Sequence, residues 1–213
     1  MIVEIAVAAL ICIDPGHGTD PAVALQGEPI GPGSTQLKIK DGGGARGEAD
    51  IVLAIAKRTR TLLLARGYRV AMTRTAPGYR GGNVARARFC NRHHAALMLR
   101  IHADGSLNTS LHGAKTLYPA FHRGWTDDIF GRSRRAAGLV QRALVAATGA
   151  TDLGLIQRSD LTGFNWADVP AILVETGYVT NPVESRRLHS ASYETRVARG
   201  LVAGVATFVP ARP

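Results

Sequence analysis

The sequence predicts a single α/β domain, with a mostly parallel sheet covered by helices on both faces. Three observations predict it. The 213 residues are 46% hydrophobic and 20% charged, enough to bury the core of one domain. Short, uninterrupted apolar runs recur along the chain, and helical periods alternate with them. The same composition excludes a disordered tail, a collagen-like fibre and a disulfide-stapled miniprotein.

The elements follow in chain order. The apolar run over residues 5–13 is shorter than the roughly 18 residues a membrane helix needs. It also lacks the basic flank of a signal peptide, so it reads as a buried strand around Leu10–Asp14. Further strands are expected at Tyr68–Thr73, Ala96–His102, Ala114–Tyr118 and Ala171–Glu175. Glu48–Arg66 sets Ile51, Val52, Ile55, Thr59, Leu62 and Leu63 on one helical stripe and stops at Gly67. Asn83–His94, Thr126–Thr148 and Ser192–Phe208 are the other expected helices. Residues 19–47 are rich in Gly and Pro and read as a long loop insertion, with a small hairpin around Thr35–Lys40. Cys12 and Cys90 sit inside apolar patterns and form no CxxC pair, so two buried free thiols are expected.

The net charge is +10, from 26 basic and 16 acidic residues. It points to an anionic partner: nucleic acid, a membrane surface or an acidic polymer. Nucleic acid is disfavoured, because no helix-turn-helix or finger spacing is present and the aromatics, 6% of the chain, are scattered. The bias to 22 arginines over four lysines is also what GC-rich coding would give.

Chemistry concentrates where the strands end, which in open α/β sheets is where ligands bind. One strand runs into Asp14-Pro-Gly-His17, a second ends in His102-Ala-Asp104, and a third ends in Glu175-Thr-Gly177. Glu48 lies on the apolar stripe of its helix, so its carboxylate faces inward and needs a partner. Each residue alone has a structural reading: a turn histidine, a core histidine, a helix-start acid, a salt-bridge acid. Together they fit one device. Two His and one Glu make a catalytic zinc set, and a second Glu can serve as general base and acid. The four are far apart in sequence, so no HExxH-type motif is present.

With these segments in view, the chain resembles the zinc-dependent N-acetylmuramoyl-L-alanine amidases of the type-3 family, which cut bacterial peptidoglycan. The matching segments are Ile13-Asp-Pro-Gly-His-Gly18, Gly47-Glu48 opening a helix, and Gly67-Tyr-Arg-Val-Ala-Met-Thr-Arg74. Then come Arg86 to Asn91, Arg100-Ile-His-Ala-Asp104, and Val169-Pro-Ala-Ile-Leu-Val-Glu-Thr-Gly-Tyr-Val-Thr-Asn181. Their order matches from about residue 10 to residue 208. The resemblance implies a twisted, mixed six-stranded sheet in one catalytic domain spanning 1–213. It implies one Zn2+ per chain held by His17, Glu48 and His102, with Glu175 as the catalytic carboxylate. It implies hydrolysis of the amide between the lactyl group of N-acetylmuramic acid and the L-alanine of the stem peptide, by zinc-activated water. Peptidoglycan or muramyl peptides are then the substrates, anionic wall polymers a further partner, and a monomer the expected state. The expected location is outside the cytoplasm, in periplasm or wall, with any signal peptide removed; a phage-encoded lysin is the alternative.

Arg74 and Arg86 match positions that are basic in the family, and structural salt bridges explain them equally well. Asp104, Arg158, Asn165 and Asn181, with Asp160 and Trp166, are candidate substrate contacts. Arg100 stands where the family usually has a serine, and on a buried strand it must reach solvent or a carboxylate. Glu28 competes with Glu48 as ligand because of the long insertion. Residues 125–168 read as one core helix and a short loop, which predicts a site open without an activator. Two rivals remain. Gly42-Gly-Gly-Ala-Arg-Gly47 satisfies GxGxxG and would suit an NADP-dependent oxidoreductase, but no buried strand precedes it. A non-catalytic, wall-binding relative would not need all four catalytic candidates.

Overall fold

The computed structural model describes residues 8–210, so residues 5–7 of the first apolar run lie outside it. Six strands form the main sheet: β1 (Leu10–Pro15), β4 (Arg69–Met72), β5 (Leu97–Asp104), β6 (Ala114–Pro119), β7 (Asp152–Arg158) and β8 (Ala171–Tyr178). Their order is β4-β1-β5-β8-β6-β7, and every neighbouring pair is parallel except β6 with β8. This is the expected mixed, mostly parallel α/β sheet.

Burial on both faces explains the continuous apolar strands. Ile11 and Ile13 of β1, with Leu99 and Ile101 of β5, face one side. There they meet α2 (Glu48–Leu64), α4 (Phe130–Thr148) and α7 (Ala191–Phe208). Leu10 and Cys12, with Met98, face the other side, against α3 (Asn83–Arg92) and α5 (Thr162–Asn165). The period of two along each strand sorts the residues to these layers. Truncating a fully buried residue such as Leu99 to alanine would cost about 2–5 kcal/mol. Helices α4 and α7 pack closely because α7 carries small residues: a Cβ at Gly204 would lie 2.5 Å from the Cα of Val140.

The expectation for the cysteines is corrected. Cys12 and Cys90 form a disulfide, with Cα atoms 5.6 Å apart. Helix α3 packs directly over β1, which brings together two residues 78 positions apart. Nothing local in the sequence records that meeting. Residues 125–168 also differ from expectation, holding α4, β7 and the turn α5 rather than one helix and a short loop. Strand β7 has no apolar run to mark it in the sequence, because it is an edge strand with mostly exposed residues.

The insertion 19–47 is packed against the domain. Its hairpin pairs β2 (Gly27–Pro29) with β3 (Leu37–Ile39), so it begins earlier than the Thr35–Lys40 pattern suggested. Three side chains from 160–166 tie it down: Asn165 Nδ2 donates to Ile30 O, Trp166 Nε1 to Pro29 O, and Asp160 Oδ2 accepts from Lys38 Nζ. A short helical turn, α1 (Pro21–Ala24), precedes it, and α6 (Pro182–Leu188) follows β8.

Candidate metal centre and active site

The carboxyl ends of β1, β5 and β8 lie side by side and carry the site. His102 and Glu175 are register partners on β5 and β8, so their side chains leave the same face of the sheet. His17 follows β1 in a turn with φ +54°, a left-handed conformation that costs a non-glycine residue about 1–3 kcal/mol. Arg74 and Arg86 hold that turn by its carbonyls. Arg86 Nη2 donates to His17 O at 2.7 Å, while Arg74 donates to Pro15 O at 3.1 Å and to Gly16 O at 2.7 Å. Residue 16 must be glycine for a different reason: a Cβ there would sit 2.3 Å from the His102 ring.

Glu48 enters from the first turn of α2, buried as its register predicted. Its Oε1 lies 3.1 Å from His17 Nε2 and 3.2 Å from His102 Nδ1, and also accepts from Ala103 N at 3.1 Å. Its Oε2 accepts from Ala45 N at 2.9 Å. That contact gives the Gly-rich turn 42–47 its role. The turn follows the hairpin strand β3, not a strand of the main sheet, and fixes the Glu48 carboxylate. Glu28 is elsewhere: it accepts from Asn83 N and Val84 N at the start of α3.

Candidate metal-ligand atoms of His17, Glu48 and His102 lie within 4.8 Å of one another, a group that could hold a metal ion. The donor set fits zinc. Two imidazole nitrogens 3.1 and 3.2 Å from one carboxylate oxygen match the roughly 3.3 Å between ligands about 2.0–2.1 Å from a tetrahedral ion. Two atoms beside this group, His102 Nε2 and Glu175 Oε2, are buried without a hydrogen-bond partner.

Comparison with known proteins then decides the family. The N-acetylmuramoyl-L-alanine amidase family matches residues 11–207. The chain belongs to that family. It is 30% identical over 218 residues to the N-acetylmuramoyl-L-alanine amidase Rv3717 of Mycobacterium tuberculosis, covering 94% of this chain and 86% of that protein. It is 27% identical to LytC of Bacillus subtilis over 95% of this chain, but spans only 36% of that relative's length. Crystal structures of Ami1 from Mycobacterium smegmatis and Mycobacterium abscessus superpose with TM-scores of 0.84, at 29% and 28% identity. Each comparison covers 94% of this chain, and 96% and 98% of those two.

The electrostatics of this amidase-family site differ from group to group. Burial disfavours a charged His17, yet its hydrogen bonds to Asp41 and Glu48 outweigh that and push it up to about 9. His102 moves down, chiefly through burial. Burial would raise Glu48 and Asp41, but the neighbouring imidazoles hold both below the usual carboxylate range. Glu175 moves the other way. Burial, reinforced by Glu48 and Asp104, pushes it up to about 8.

A cleft of about 500 Å³ opens over the group, with His17, Glu48, His102, Asp104 and Glu175 among its walls. No residue of 125–168 lines it. Asp104 is paired with Lys115, whose Nζ also donates to Tyr178 Oη at 3.0 Å. The other candidate substrate residues have structural partners. Arg74 and Arg86 are buried and spend their donors on the His17 turn and Asp14. Asn165 is buried against the insertion, and Asn181 caps α6 by accepting from Val183 N and Glu184 N. Arg158 is paired with Asp160 at 2.7 Å. Arg100 finds the carboxylate it needed: its Nε donates to Asp14 Oδ2 at 2.8 Å.

One site residue escaped the sequence. Asp41, at the foot of the hairpin, accepts from His17 Nδ1 at 2.7 Å. Its carboxylate is fixed by Gly43 N at 2.8 Å and Thr19 N at 3.2 Å. It fixes which nitrogen of His17 faces the cleft, as partners of metal-binding histidines do. The only signal was an acid beside the Gly-rich run, which the dinucleotide-fingerprint reading of that run obscured.

Proposed function

We propose that this chain hydrolyses the amide joining the lactyl group of N-acetylmuramic acid to the L-alanine of the stem peptide. Family membership sets the reaction class. The observation that carries the reading is Glu175, whose Oε2 is buried without a hydrogen-bond partner beside two histidines and a carboxylate that converge on one point. His17, Glu48 and His102 would hold one Zn2+ per chain. When bound, zinc acts as a Lewis acid toward an amide carbonyl and makes water more acidic. Glu175 takes a proton from the attacking water and delivers it to the amine nitrogen as the C–N bond breaks. Its raised affinity for protons suits both halves of that shuttle, and a nearby cation would bring it back toward neutral pH. Asp41 holds His17, and Ala45 N holds Glu48, so neither must reorganise. Asp104, at the cleft wall, is a substrate contact in this reading.

The substrate is peptidoglycan or a muramyl peptide, met outside the cytoplasm. The Cys12–Cys90 disulfide supports that location, because such bonds persist in oxidising compartments. Two measurements test the proposal. Elemental analysis should find about one zinc per chain; a metal-free protein that still cuts would overturn the metal assignment. Mass spectrometry of digested peptidoglycan should show stem peptides with a free L-alanine amine; cleavage at any other bond would overturn the reaction.

A further inference from the structure

A cleft larger than the one over the candidate metal centre lies elsewhere on the domain. It measures about 650 Å³ and lies between the β2–β3 hairpin and α3. Four cations line it: Lys40, Arg80, Arg88 and Arg92. Its single acid, Glu28, accepts from the first two amides of α3 and offsets one of the four charges, so positive charge remains in excess. All three arginines are exposed. Among the described residues Arg80 and Arg92 have no hydrogen-bond or ion-pair partner, and Arg88 only stacks over Trp166. Arg88 and Arg92 are one turn apart on α3, where like charges repel and weaken the helix. Three guanidinium forks whose donors are unused around one cleft are a stable arrangement when an anion sits among them. Tyr79 and Phe89 add two aromatic walls to the same cleft.

We propose that this cleft binds a phosphodiester-bearing polymer of the cell wall and so docks the catalytic domain on its substrate. Arginine forks grip phosphate oxygens in pairs, and Arg88 and Arg92 lie about 6 Å apart along the helix axis, a spacing that lets successive charges of one chain be held. The inference rests on the wall-hydrolase reading for the identity of the polymer, not for the existence of the site. It also accounts for part of the +10 charge without nucleic acid.

The test compares the wild-type protein with an Arg80→Gln/Arg88→Gln/Arg92→Gln variant. Soluble poly(glycerol phosphate), polygalacturonate, duplex DNA and inorganic phosphate are the probes, read by calorimetry. Wild type should bind poly(glycerol phosphate) more weakly as salt rises. The variant should bind it about tenfold more weakly, the effect of losing a few exposed charge pairs. Turnover of a small muramyl peptide should be the same in both proteins. Co-sedimentation with walls should fall when their phosphodiesters are removed chemically, and in the variant alike. Unchanged polymer binding in the variant overturns the site. Equal loss of binding to polygalacturonate overturns the phosphodiester assignment, equal loss of binding to DNA, itself a phosphodiester chain, overturns the wall-polymer assignment, and saturation by inorganic phosphate alone overturns the polymer. If wild type binds the polymer but cuts no muramyl peptide, the amidase reading fails and the docking site stands.

Discussion

Two buried polar clusters sit at the end of β1, a few residues apart, and they are built on opposite principles. Around Asp14 every charge is answered. Arg86 and Arg100 donate to its two oxygens at 2.8 Å, and Thr73 Oγ1 donates at 2.6 Å. Burial would raise Asp14, but the two guanidiniums overcome it and hold the carboxyl well below its usual range. Around Glu48 the account does not close. His17 is pushed up to about 9 and Glu175 to about 8, and two buried atoms lack partners. A satisfied network fixes backbone, whereas an unsatisfied one awaits a ligand. The first cluster supports the second, because Arg86 also holds the carbonyl of His17.

That contrast can be broken from either side. The largest effect is expected from Glu175→Gln. Turnover should fall about 10²- to 10⁴-fold while bound zinc and melting temperature stay near wild type. Retained turnover would make Glu175 an ordinary buried acid. Asp14→Ala should do the reverse, removing about 3–5 kcal/mol of stability by stranding two buried guanidiniums. Denaturant melts would show it, and a near-wild-type midpoint would refute the supporting role. Asp41→Asn should weaken zinc binding about 10- to 100-fold, measured by chelator competition, with little change in unfolding midpoint. If affinity holds, Asp41 only anchors the hairpin.

The smallest effect concerns acid. Asp14 has a lowered folded pKa, so its contribution is present above its unfolded value near 3.8 and is lost as pH falls below that. Melts from pH 5 downward should lose stability more steeply in wild type than in Asp14→Asn. Parallel curves would show that the guanidiniums do not hold the carboxylate.

Much of this was legible in the chain. The strands carrying His17, His102 and Glu175 are buried on both faces, so they read as plain apolar runs. Helix α2 announced its register through Ile51, Val52 and Ile55, which also turned Glu48 inward. Edge strand β7 was not legible, because a strand with one exposed face and an open side needs few apolar residues. Nor was the job of Arg74, whose donors all go to backbone carbonyls brought near by folding.

The sequence by itself determined which side chains stand at strand ends and which face of each helix is apolar, because those are properties of the local period. Only the tertiary structure decided that Cys12 meets Cys90, that Asp41 rather than Glu28 reaches the site, and that Arg100 serves Asp14. Each of these is a short-range contact between residues remote in the chain. Its geometry is set by how α3 and the hairpin pack on the sheet, and no local pattern encodes that.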